Sequence, residues 1–222
     1  MTEIDVDHQI KAVARKVGAR VISAGDAHVV TISQSYNTDA EDLWDAVTNI
    51  ERIPRWFLPV TGDLNVGGSY QLEGHAHGTI LTCDPPKKFT ATWEYGGNVS
   101  WIDVSISGEG LDRVRLVIEH TIGSDDENWR EFGPGAVGIG WDSMVLGLAI
   151  HLETGESIDP SFGPQWTATD DGRRFLRLSG EAWHMANVDR GEDPSRARAL
   201  TDACIKAYLG EPISAESAPG TS

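Results

Sequence analysis

Three groups of residues in this chain have types and spacings that can carry chemistry. His75 and His77 are two apart, so on a strand their imidazoles share one face, with Glu73 at the same parity. Imidazole is a common metal ligand, but a zinc site takes three or four ligands. Gly74 and Gly78 bracket the pair and make it an exposed hairpin tip, so no metal is expected. Gly133, Gly135 and Gly138 spell G-x-G-x-x-G. A dinucleotide loop needs a strand before it and a second strand with a ribose-binding carboxylate after it. Here Pro134 occupies the turn and ETGESIDPS comes after the helix. Close packing of a helix on a sheet is the expected use of these glycines, and no cofactor is expected. The third group centres on His120. In RVRLVIEHT, Val114, Leu116, Ile118 and His120 alternate with Arg113, Arg115 and Glu119, which aims the imidazole inward. One reading is a core histidine satisfied by a backbone carbonyl. The other is an acid–base partner of Glu119 or Asp103, as in a cyclase or hydrolase, although parity puts Glu119 on the opposite face. No GxSxG, Walker loop or HExxH occurs, so nucleophilic catalysis has no visible motif.

The other candidates are aromatic. Of the eight tryptophans, Trp44, Trp56, Trp93, Trp101 and Trp141 are the ones expected either to fill a core or to line a cavity. Filling is expected of Trp44. Trp141 is the leading cavity candidate, with Trp93, Tyr95 and Trp101 on strands behind it. The expected ligand-lining set is Trp56, Phe57, Tyr70, Trp93, Trp101, His120, Trp141 and Met144.

These residues need elements to hold them. From Gly133 to Leu152 the spacing of Val137, Trp141, Met144, Leu148 and Leu152 places one helix face, and Ile139, Val145, Leu146 and Ile150 make the other faces apolar too. Such a helix must be covered on more than one side: a sheet on one flank and further chain on another. Asp142 interrupts the run, which argues against a membrane span. From Val60 to Ile122 short β-rich runs are separated by turn residues, the pattern of an antiparallel meander. Residues 19–35 read as a strand or hairpin around a Gly-Asp turn. Thr38 to Glu41 reads as a capping box for a helix burying Ala40, Leu43, Trp44 and Val47. Residues 4–20 read as a short amphipathic helix or arm. After Leu152 come two helices, one through Phe175–Met185 and one from Asp193-Pro194 to Gly210, the second carrying Ala197, Leu200, Cys204, Ala207 and Tyr208 inward.

With 18 basic against 34 acidic residues, the formal charge is −16. Phosphate backbones and anionic lipids both select for Lys and Arg, so neither nucleic acid nor a membrane is an expected partner. The N-terminal segment lacks a signal peptide's apolar stretch, and Cys83 and Cys204 form no pattern of a disulfide framework, so the cytoplasm is the expected compartment.

The capped helix, PRWF, GDLNVGGSYQLEG, TCDPPKKFTATWEY, the IEHT strand end and the Gly-rich entry to the apolar helix, in that order, resemble the heat-shock protein 90 ATPase activator homologues. That family belongs to the START-like (SRPBCC) superfamily. The likeness runs from about Ala27 to Gly155. It implies an α+β helix-grip fold, in which a curved antiparallel sheet and a long C-terminal helix enclose a cavity, often for an apolar ligand. The expected organisation is an arm or short helix over residues 1–18, a START-like domain over 19–155, a two-helix extension packing on it over 156–211 and a disordered tail over 212–222. The expected function is binding of a small apolar or aromatic molecule without catalysis. The rivals are a cyclase or hydrolase using His120 and a protein-interaction module like the chaperone activators; the oligomeric state is left open.

Overall fold

The computed structural model describes residues 4–110, 112–159 and 161–213. The tail expected over 212–222 lies outside the described residues beyond Ile213.

Helix α1 (Val6–Ala12) runs directly into β1 (Val13–Ile22), which pairs with β2 (Gly25–Tyr36) in a hairpin. The boundary expected between residues 18 and 19 therefore falls inside a strand. In this strand Lys16 and Arg20 fall at the parity opposite to the buried Val13 and Val17, whereas Arg15 shares the valines' parity and its side chain is buried; the helix-like spacing of the first turns gives way to period two. Helix α2 (Ala40–Thr48) comes next. Its cap is Asp39, whose Oδ1 accepts from the Asp42 N–H at 2.7 Å, while Thr38 Oγ1 donates to the Asp42 carboxylate. The expected capping box is thus shifted by one residue, because a carboxylate caps as well as a hydroxyl.

A 3₁₀ turn (Ile53–Arg55) leads to β3 (Val60–Gly62), β4 (Ser69–Leu72), β5 (His77–Asp84), β6 (Lys88–Tyr95), β7 (Asn98–Gly108) and β8 (Val114–Gly123). All eight strands form one curved antiparallel sheet in the order β1-β2-β8-β7-β6-β5-β4-β3. Antiparallel strands with one buried face alternate apolar and polar residues, and the register carries this across the sheet: Val30 lies opposite His120, which lies opposite Ile102, and Ile32 opposite Ile118, which lies opposite Val104.

A short helix α3 (Glu127–Phe132) precedes α4 (Gly135–Thr154), the gripping helix. On length and composition alone α4 could cross a bilayer, yet ten of its twenty residues are buried in this protein, which makes it the core helix. Three further helices follow among the described residues: α5 (Phe162–Thr167), α6 (Asp170–Asp189) and α7 (Pro194–Tyr208). The first of them is additional to the two-helix extension expected from the sequence; Ser-Phe-Gly-Pro reads as loop chemistry, but Trp166 packs against Phe175 with ring centroids 5.4 Å apart. In α7, Ala197 and Cys204 are buried, whereas Ala207 and Tyr208 are exposed.

The extension covers the flank of α4 away from the sheet, and the glycines expected to pack on the sheet pack here instead. A Cβ on Gly138 would overlap the Trp183 ring, and one on Gly135 would lie 2.9 Å from Cys204 Sγ. Gly133, with φ +62°, makes the left-handed corner between α3 and α4. The same flank carries Asp142, fully buried. It is paired with Arg15 of β1 (Nη2 to Oδ1, 2.6 Å) and accepts from Ser179 Oγ and Trp183 Nε1 of α6 at 2.5 and 2.8 Å. A buried carboxylate needs such saturation, and here it joins the first strand, the gripping helix and the extension.

Candidate functional site

Sheet and α4 do not meet over their whole length. Between β3–β8, α2, the 53–57 connector and the middle of α4 lies a cavity of about 500 Å³, within the range of small-molecule sites. Its floor is the inward row of the sheet, including Ile80, Ala91, Ile102, Leu116 and Ile118. These residues face inward because strand side chains alternate, and Ala91 in the centre leaves room that a larger residue would fill.

Six residues of the expected set line this cavity: Trp56, Phe57, Tyr70, Trp93, Trp141 and Met144. Trp56 and Phe57 stack with centroids 5.6 Å apart, and Trp56 Nε1 donates to the Ala46 carbonyl at 2.9 Å. The Tyr70 hydroxyl donates to the Thr92 carbonyl at 2.7 Å, so its ring faces the cavity while its polar end is satisfied. Trp93 and Trp141 touch with centroids 5.1 Å apart. Met144 lies one turn beyond Trp141 on the same face of α4.

The other two lie elsewhere. Trp101 is on the opposite face of the sheet, beside Thr121 and Thr92, because in β7 the inward residues are Ser100, Ile102, Val104 and Ile106. His120 faces inward as expected but lies behind the Trp93–Trp141 pair, off the cavity wall. It accepts from Trp141 Nε1 at Nδ1 (3.1 Å) and meets Ser100 Oγ at Nε2 (2.7 Å); Ser100 Oγ in turn donates to the Trp93 carbonyl at 2.8 Å. Its partners are thus an indole and a hydroxyl, where a backbone carbonyl was expected. Burial pulls its pKa down to about 3, so the ring is neutral and serves as a fixed strut behind Trp141.

The carboxylates weighed as its acid–base partners are remote. Arg20 pairs with both Glu119 and Asp103 on the outer face, where strand parity separates them from His120. The exposed pair at the β4–β5 tip is also accounted for: His75 stacks on Tyr95 at 4.8 Å, and His77 Nδ1 lies 3.7 Å from Glu94. Among the described residues no three His, Cys, Asp or Glu side chains are grouped so as to hold a metal ion.

Two lining groups escaped the sequence reading. Trp44 of α2, expected to fill the core, lines the cavity with its ring edge-on to Phe89 at 6.1 Å. Asp63 and Asn65 supply polar atoms to the lining, the Asp63 carboxylate accepting from the Asn65 backbone and side chain at 2.9 and 2.7 Å. The GDLN sequence carries an Asx-turn signal that would have placed Asp63 and Asn65 in a turn, though not beside the cavity. The remaining polar side chains there are Thr48 and Cys83. The cavity therefore offers aromatic and aliphatic walls with a few polar groups, and no pair of ionisable groups arranged to pass a proton.

A family model described as Activator of Hsp90 ATPase homolog 1-like protein matches residues 37–153. That span runs from the residue after β2 to the end of α4 and contains the whole cavity wall. The crystal structure of CalU16 from Micromonospora echinospora is 30% identical, aligns over 80% of this chain and 97% of its own, and superposes with a TM-score of 0.62. The solution NMR structure of CalU16 gives 31% identity, 82% and 97% coverage and a TM-score of 0.66. PFC0360w, an HSP90 activator from Plasmodium falciparum, is 20% identical over 58% of this chain and 96% of its own, with a TM-score of 0.50, a likeness of fold. No curated protein matches the chain.

Proposed function

The chain belongs to the activator of Hsp90 ATPase homolog 1-like family, and from that premise we propose that it binds a small apolar or aromatic molecule in the cavity between sheet and α4, without transforming it. The observation that carries this reading is the composition of the wall. Rings from Trp44, Trp56, Phe57, Tyr70, Phe89, Trp93 and Trp141 surround about 500 Å³, and an apolar guest gains roughly 25 cal/mol for each Å² of its surface removed from water. The neutral, hydrogen-bonded His120 and the outward Glu119 and Asp103 weigh against the cyclase or hydrolase reading. Asp63 is the one carboxylate on the lining, which favours a neutral guest over an anionic one. Both cysteines are free thiols, and a reducing cytoplasm suits them.

Native mass spectrometry of protein purified from its own cells tests the reading. A retained small molecule, displaced by a fluorescent apolar probe whose binding quenches tryptophan emission, is the expected result. Protein that carries nothing and gives no saturable response to a panel of aromatic and acyl compounds would overturn it and favour the interaction module.

A further inference from the structure

A second cavity, of about 360 Å³, lies on the far side of the rings that close the first. Trp93 borders both, with Trp141 on the first cavity's wall and His120 on the second's. The three rings are in mutual contact: Trp93 on Trp141 at 5.1 Å, and His120 edge-on to each at 6.1 and 5.7 Å. The hydrogen bond from Trp141 to His120 and that from Ser100 to the Trp93 carbonyl hold this partition in place.

The second chamber is built differently from the first. Its roof comes from Cys204, Ala207 and Tyr208 of α7, outside the residues matched by the family model. One wall is Trp129 of α3, which is held rigidly: His28 stacks on it at 4.0 Å and 9°, the Arg190 guanidinium lies 5.7 Å from its centroid, and Arg190 Nη2 lies 3.1 Å from His28 Nδ1. Burial and the neighbouring Arg190 lower the His28 pKa, so His28 accepts from the guanidinium. Phe132 and Tyr95 add further rings. Polar groups gather on Asp126, Asn98 and Asn128. The Asp126 carboxylate caps α3 by accepting from the Trp129 N–H at 2.8 Å and accepts from Asn98 Nδ2 at 3.1 Å. That bond orients the Asn98 amide and leaves its carbonyl oxygen as an acceptor. Each carboxylate oxygen also keeps a further lone pair.

We infer that this chamber is a second binding site, separate from the sheet–helix cavity, for a neutral planar aromatic molecule carrying a hydroxyl or amide donor. Rings set at fixed orientation take a planar guest by offset or edge-on stacking. The Asp126 carboxylate and the Asn98 carbonyl accept from its donor, and the same carboxylate, the sole charged group on the lining, disfavours an anion. A neutral bicyclic phenol has the size and polarity for this space.

2-Naphthol is a suitable probe, tracked through the indole N–H signals of ¹⁵N-labelled protein. The Trp129 signal reports on the second chamber and the Trp44 signal on the first. The expected result is a saturable Trp129 shift that survives Met144→Trp, which fills the first cavity, and that requires at least tenfold more naphthol after Ala207→Trp, which fills the second from an exposed position. Should Ala207→Trp disturb the spectrum at large, Asn128→Trp at another exposed lining position serves the same purpose. A Trp129 shift lost with Met144→Trp but kept with both filling variants of the second chamber would overturn the inference by assigning the effect to the first cavity, as would the absence of any saturable Trp129 shift. Neither outcome bears on the first cavity's own ligand, which the Trp44 signal reads independently.

Discussion

The Trp141 indole donates to His120 Nδ1 at 3.1 Å, so the proton of the imidazole sits on Nε2 and points at Ser100 Oγ, 2.7 Å away. A helix side chain is thereby tied to two strands. The imidazole that supplies the tie has no spare atom for acid–base work.

This tie sets a pH dependence. Burial lowers the His120 pKa from 6.5 to about 3. Between those values the unfolded chain binds a proton that the folded chain does not, so stability rises with pH across the window. The contribution is complete above pH 6.5 and is lost as pH falls toward 3, amounting to roughly 5 kcal/mol at most by the usual conversion of pKa units. Urea denaturation at pH 7.5, 6 and 5 should show a steeper decline for the wild type than for His120→Gln; parallel declines would remove His120 as the cause.

Asp142 gives a second expectation. Its pairing with Arg15 is buried, with side chains 6% and 1% exposed, so Arg15→Met strands a carboxylate in the interior and should cost about 3–5 kcal/mol. Arg15→Met combined with Asp142→Leu should recover only part of the loss, because Ser179 and Trp183 lose their acceptor. Equilibrium unfolding of both variants measures this; a near-neutral Arg15→Met would contradict the ion-pair account.

Gly138→Ala distinguishes propensity from packing by sign. Helix propensity alone favours alanine by about 1 kcal/mol, whereas the added Cβ would overlap the Trp183 ring. Overpacking of this kind typically costs about 1–3 kcal/mol, so a net lowering of the unfolding midpoint is expected. A rise would mean that α6 yields to the methyl group and does not press firmly on α4.

For the cavity, Met144→Trp should weaken binding of an apolar dye such as Nile red at least tenfold, since the new ring occupies space that the ligand needs. Trp101→Phe, altered on the outer face, should leave the same titration unchanged. Fluorescence titration of the two variants side by side checks both statements, and an effect of Trp101→Phe as large as that of Met144→Trp would place the dye somewhere else.

Periodicity and turn chemistry determined, with no help from tertiary contacts, the antiparallel meander, the inward row ending at His120, and the all-round apolar α4 with its need for cover. Motif order added the helix-grip architecture. Six of the eight expected lining residues came from the same signals. Trp101 lies on the outer face, and the alternation of Ile102, Val104 and Ile106 in β7 already carries that placement in the sequence.

Tertiary structure alone decided the rest. Whether Trp44 fills or lines depends on how far α2 stands from Phe89, a distance that no spacing encodes. Asp142 looked like an interruption of an apolar run, and only the approach of Arg15, 127 residues earlier in the chain, makes it the junction of three elements. The helix glycines announced a close approach, but the expected partner was the sheet, and the packed structure sets them against α6 and α7 instead. Burial energies and hydrogen bonds act between surfaces brought together by the whole chain, whereas sequence patterns report each element's own face. The pattern therefore sets which side of an element is buried, and the packed structure decides what that side meets and where it leaves a space.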